Sequence, residues 1–244
     1  MDTSFDSPNR GWFPQTSWTC VQKIQGREDK VSAEALQTLC SIYRAPIVTA
    51  FRSKHGFPLE EAEDSAHEFI VWFLGSGLLQ QAESREGRFR SFLLTCLDNF
   101  ARNRRRKLRS ERRGGKAIHV SIHPDPESGT SGVEIADENS PAHEIDLAWA
   151  RATLKAARSR LKAEEIVAGR GDDWTVMREF LSATPQWTLP EGALRISVTE
   201  GAFKVRIHRL RHRFHAILTE QVSATVSSEA EFQDEMQFLR SVYS

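Results

Sequence analysis

"TEGAFKVRIHRLRHRFHAIL", Thr199 to Leu218, is the stretch on which the fold turns. Phe203, Ile207, Leu210, Phe214 and Ile217 recur at i, i+4, i+7, i+11 and i+14, the spacing of one buried helix face. Around them stand Lys204, Arg206, His208, Arg209, Arg211, His212, Arg213 and His215. Thr199 is a good N-cap, and Glu200 suits the first turn, where the helix dipole favours an acid. The pattern predicts a long helix, apolar on one side and basic elsewhere.

Just upstream, Pro190 to Ile196 reads as a short supporting helix and Ser197-Val198 as a turn. Together these make a helix-turn-helix. Glu200, Lys204, Val205, His208 and Arg209 project away from the core near the helix N-terminus, the end that enters a major groove. Thr199 at the cap and Arg206, Arg211 and Arg213 further along complete the candidate DNA-binding set, the arginines as phosphate holders. The plainer alternative is an amphipathic helix with an ordinary basic face. His208 and His212 are four apart, but the arginines around them repel a cation and no third ligand is evident, so no metal is expected. Two features weaken the unit: Gly192 stands where an apolar residue is expected, and Ser197 where the turn favours glycine.

Further upstream, Leu36, Leu39, Cys40, Tyr43 and Ile47 predict a helix from Ser32 to Lys54, with Pro46 a potential kink. A second helix spans Leu59 to Leu74, with Ala62, Ala66, Phe69 and Phe73 as its core stripe. Asp64, His67, Glu68 and Val71 share its opposite side. A third begins at Phe89; Leu93, Cys96 and Phe100 continue its stripe, which then turns basic in "NFARNRRRKLRSERRGGK", Asn99 to Lys116, before Gly114-Gly115 stops the helix. The chain balances 33 Lys+Arg against 33 Asp+Glu, so this excess is offset elsewhere. Much of the offset follows at once: "HPDPESGTSGVEIADENSPAHEID" carries only acidic charge, from Asp125 to Asp146, and reads as a linker. Helical periodicity resumes near Ile145, recurs around Trp174 to Leu181, and ends in a capped helix from Ser228 whose stripe is Phe232, Met236, Leu239 and Tyr243. The fold class is therefore all-α: two small helical domains joined by an acidic flexible linker.

No apolar run approaches the ~20 residues of a membrane span, and the N-terminus lacks a basic start followed by an apolar core. Neither a membrane nor a secretion signal is expected. Cys20, Cys40 and Cys96 form no CxxC pair and suit a reducing cytoplasm. Glu60, Glu61, Glu63 and Asp64 spread around one helical turn instead of converging, and no GxSxG, HExxH or Walker pattern occurs, so neither an enzyme nor a cofactor is expected.

The motifs in order resemble a bacterial RNA polymerase sigma factor of the extracytoplasmic-function (ECF) type, in its long planctomycete-like subgroup. They are "FPQTSW" at Phe13 to Trp18, "AEDSAHEFI" at Ala62 to Ile70, "GRFRSFLL" at Gly87 to Leu94, Arg113-Gly114-Gly115, and "TEGAFKVRIHRLRHR" at Thr199 to Arg213. The resemblance implies an N-terminal segment over 1–31, region two over 32–116, the acidic linker over 117–145, region four over 146–221, and a C-terminal helix over 222–244. It implies that Asp64, His67, Glu68 and Val71 dock the β′ coiled coil of core RNA polymerase, with the β flap as a second contact. The loop from Gly75 to Arg88 is similar to one that captures a flipped base of the minus-ten element. Arg88, Arg90, Phe92, Asn99, Arg102, Arg105, Arg106 and Arg109 are implied to hold that opened DNA, and region four to bind the minus-thirty-five duplex. The implied function is promoter recognition and transcription initiation, by a cytoplasmic, nucleoid-associated protein. Two departures, Ser65 for an apolar residue and His67 for Gln, motivate an alternative: a helix-turn-helix transcription regulator that no longer binds polymerase. The C-terminal helix has two open roles, packing on region four or binding an anti-sigma or other regulator.

Overall fold

The computed structural model describes residues 29–78, 87–112 and 140–243. They form eight α-helices and one 3-10 turn, with no strand among the described residues. The helices are α1 (Asp29–Ser53), α2 (Leu59–Gly75), α3 (Phe89–Arg112), α4 (Pro141–Val167), α5 (Trp174–Met177), α6 (Leu189–Arg195), α7 (Glu200–Ser223) and α8 (Glu229–Tyr243); the 3-10 turn is Arg178–Leu181. The chain is all-α. Among the described residues no helix is long and apolar enough to cross a membrane. The expectations for the opening segment with "FPQTSW" and Cys20, the loop between Leu78 and Gly87, the Arg113-Gly114-Gly115 stop and the acidic linker up to Asn139 lie outside the described residues.

Helix α1 runs unbroken through Pro46, whose ring is buried. The first three helices close on an aromatic core. Tyr43 meets Phe89 edge-on at 5.2 Å, Phe69 meets Phe100 at 5.5 Å, and Phe51 stacks on Phe57 at 5.4 Å. Edge-to-face rings of this kind add about 0.5–1.5 kcal/mol each beyond the area they bury. Asp98 of α3 fastens the end of α1: Lys54 Nζ lies at 2.5 Å and His55 Nε2 at 3.0 Å. Burial pushes the Asp98 carboxyl up, but the bonds from His55 and Lys54 outweigh it and hold it below the usual range. Its contribution to stability is thus present above that range and is lost as pH falls through the lowered value.

Helix α4 starts at Pro141, four residues ahead of the visible periodicity, because Ser140 accepts a hydrogen bond from the His143 amide and proline suits the first turn. Pro141 to Ile145, expected in the linker, therefore belong to a helix. Buried residues from both halves of the chain form a single core cluster. Helix α4 packs against α1 on one side and α7 on another, and α8 packs against α4 and α7.

A buried ionic contact joins the halves. Arg90 on α3, 8% exposed, pairs its Nη2 with Glu235 on α8 at 3.1 Å and faces Asp146 of α4 at 3.3 Å. Its guanidinium lies 4.3 Å from the Trp149 ring centre, a cation–π contact. Arg88 reaches Asp234 at 2.8 Å, and the Gly87 and Phe89 amides donate to Ser227 Oγ and the Thr225 carbonyl. Glu235 is 3% exposed; burial pushes its carboxyl up despite Arg90 and Arg88. Removing the cation from such a pair strands a buried carboxylate. Arg90→Ala is expected to cost about 3–5 kcal/mol at neutral pH. The cost should shrink on acidification, because a protonated Glu235 needs no cation. Urea denaturation across a pH series checks both the magnitude and its direction.

Candidate nucleic-acid interface

The helix-turn-helix is built by two caps. Thr199 Oγ1 accepts from the Ala202 amide at 3.3 Å and starts α7. Thr188 starts α6 through a full capping box: Glu191 returns a carboxylate to the Thr188 amide at 2.8 Å. The spacing T-x-x-E over Thr188 to Glu191 carried this signal in the sequence and was missed there.

Gly192 has a physical role. It is buried, and a methyl group built on it would lie 2.6 Å from Phe203 Cζ and 2.8 Å from Phe180 Cζ. The missing side chain admits the Phe203 ring, which meets Phe180 edge-on at 5.0 Å. The volume expected at position 192 is supplied from α7. Ser197 takes φ 56°, the left-handed conformation a glycine would adopt freely. The turn thus forms with serine, at the cost of Cβ crowding.

Helix α7 buries Phe203, Ile207, Leu210, Phe214 and Ile217, the full predicted stripe. Its remaining residues divide into two groups. Val205 is half exposed, and His208 and Arg209 face solvent. Lys204 is exposed and paired only with Glu200 one turn earlier, at 2.6 Å. Arg206, Arg211 and Arg213, by contrast, tie α7 to its neighbours. Arg206 reaches Asp173 at 2.9 Å, Arg211 Nε donates to the Phe180 carbonyl at 2.8 Å, and Arg213 grips Glu164 with two bonds of 2.7 Å. Those Arg213 bonds hold the Glu164 carboxyl below its usual range.

The residues anticipated on α3 divide in the same way. Phe92 is buried, Arg90 is the buried cation of the ionic contact, and Arg88 is paired with α8. The resemblance implies that these three hold opened DNA; here Phe92 packs on Phe73 of α2 and on Phe89, Arg90 is enclosed by Glu235 of α8 and Asp146 and Trp149 of α4, and Arg88 is half-buried against α8. Asn99 is half-buried and its Nδ2 makes no hydrogen bond among the described residues. Arg102 is exposed. Arg105 bonds the His55 carbonyl and lies over the Phe57 ring at 5.5 Å, and Arg106 bonds Asn103 at 3.1 Å. The side chain of Arg109 lies outside the described residues.

On α2, Asp64, His67, Glu68 and Val71 are all exposed, Val71 at 59%. Leu59 is exposed on the same helix. Glu68 is bridged to Arg104 of α3. Ser65 is fully buried, and its hydroxyl has no hydrogen-bond partner among the described residues. The four α2 residues thus form one solvent face, part apolar and part acidic. No family model matches the chain, and neither a curated protein nor a solved structure does.

The two turn features should respond in opposite senses. Gly192→Ala is expected to destabilise by about 1–3 kcal/mol, since the Phe203 and Phe180 rings must both move. Ser197→Gly is expected to stabilise by up to about 1 kcal/mol through relief of the left-handed backbone. Denaturant midpoints of the two variants against the parent measure both.

Proposed function

We propose that the chain is a sigma factor of the ECF type: a subunit without catalysis of its own that binds core RNA polymerase and directs it to promoters. The observation that carries this reading is the ordered motif set from "FPQTSW" to "TEGAFKVRIHRLRHR". The geometry supports it at two points. The α2 quartet that the resemblance assigns to polymerase is a contiguous exposed face, including an apolar Val71 of the kind interfaces use. The N-terminal part of α7 presents Lys204, Val205, His208 and Arg209 outward from a capped, rigidly packed helix, as major-groove reading requires.

A second reading has a specific observation in its favour. Arg90 and Phe92 are buried and Arg88 is paired with Asp234 of α8, so region two has fewer groups free for separated DNA. That suits a helix-turn-helix regulator that binds duplex without polymerase. Under the sigma reading, α3 would have to separate from α8 before those groups meet a strand. The groups that face solvent meanwhile are Arg102, Arg105 and Arg106.

Co-purification with core polymerase separates the two, since absence of binding overturns the sigma reading and leaves the regulator. On duplex selected from genomic fragments, Lys204→Ala and Arg209→Ala are each expected to weaken binding by about 1–3 kcal/mol, with unchanged folding. Arg211→Ala and Arg213→Ala are expected to lower stability more than affinity. Binding titrations paired with thermal melts distinguish the two patterns.

A further inference from the structure

A wide groove of about 860 Å³ lies between α4, the 3-10 turn and the end of α8. Its charged lining is Arg151, Lys155, Arg158 and Lys162 of α4, with Arg178 and Glu179 of the 3-10 turn. Glu179 is the one acid among them and is already paired with its neighbour Arg178 at 3.3 Å. Arg151, Lys155 and Lys162 are exposed and have no ion pair among the described residues. Arg158 lies over the Tyr243 ring at 5.1 Å, which fixes its head at the groove edge. This basic lining is absent from the candidate set drawn from the sequence, because it lies in the supporting helix α4 and not in the motif-bearing helices.

The arrangement of the cations decides what they fit. A small anion needs donors that converge on one point and are sheltered from water. These are strung along one helix at i, i+4, i+7 and i+11, all at the surface. From Arg151 to Lys162 they cover about 16 Å of helix axis. That matches roughly five phosphates of one strand of duplex DNA, spaced about 3.4 Å along its axis. The groove is also joined to the basic side of α7. Its wall residue Trp174 follows Asp173, which holds Arg206, and the turn that carries Arg178 also carries Phe180, whose carbonyl accepts from Arg211.

The geometry points to this groove as a second DNA site, a track for the phosphate backbone of duplex DNA that reads no bases. It requires neither polymerase binding nor base recognition by α7. Like-charged side chains left unpaired in this way repel one another, and each phosphate they neutralise releases counterions condensed on the DNA.

The test uses the full chain and a mixed-sequence duplex, with affinity measured over a range of salt. Arg151→Ala/Lys155→Ala/Lys162→Ala is expected to reduce the steepness of log K against log salt by 2 to 3, about 0.9 per cation removed. Melting temperature should be unaffected, because all three side chains are exposed. Arg44→Ala/Arg52→Ala, exposed arginines on α1, serves as the charge control and should change the slope less per cation. In parallel, p-benzoylphenylalanine in place of Ser159, a groove-lining residue, should give a light-dependent DNA adduct that high salt abolishes. An unchanged slope, a per-cation effect no larger than the control's, or an adduct to protein instead of DNA overturns the proposal. Lys204→Ala/Arg209→Ala run alongside reports on α7 separately, so failure of either site is visible without the other.

Discussion

Arg90 carries its charge into a nearly dry junction where three helices meet. Glu235 of α8, Asp146 of α4 and the face of Trp149 surround it. Desolvating an arginine costs several kcal/mol, and only close opposite charge and a ring face offset that. The partners come from two segments, α4 and α8, both distant from α3 in sequence, so the junction exists only when the halves of the chain are docked. Much else depends on that docking. The pairing of Arg88 and the amide bonds from Gly87 and Phe89 all lie at the same end of α3. Burial pushes the Glu235 carboxyl up even with Arg90 and Arg88 beside it.

The helices themselves were legible in the sequence because their signals are local. The α7 stripe, its Thr199 cap and the start of α2 after Pro58 follow from period and capping chemistry alone. The errors fall where a second element decides. The start of α4 was set late because "SPAHEI" looks like linker composition until Ser140 caps it. Gly192 read as a defect because the ring that fills its place arrives from ten or so residues downstream. For Arg88 and Arg90, implied by the resemblance to hold DNA, nothing local in "GRFRSF" announces that Asp234 and Glu235 of α8 engage them. In the candidate site the same rule holds. Which α7 positions point outward was legible; which of its arginines were already engaged was not, since Asp173, Phe180 and Glu164 lie on other elements.

The helix-turn-helix is stiff for its size. Both its helices are capped by threonine, its turn residue is held in a conformation that serine rarely adopts, and its core is an edge-on pair of phenylalanine rings. Three of the α7 arginines brace it against α4, the Asp173 that precedes α5, and the 3-10 turn. Rigidity of this kind suits recognition, since little side-chain or loop ordering remains to be done on binding.

That bracing also limits how much the helix can read. The side chains not tied to other elements, Lys204, Val205, His208 and Arg209, occupy about 8 Å of helix axis. Laid in a major groove, such a window spans only two or three base pairs, each worth about 1–3 kcal/mol of discrimination. A word so short recurs by chance throughout any genome. Selectivity for a rare site then has to be multiplied by a second contact at a fixed distance along the same duplex, so spacing between elements carries as much information as the bases themselves.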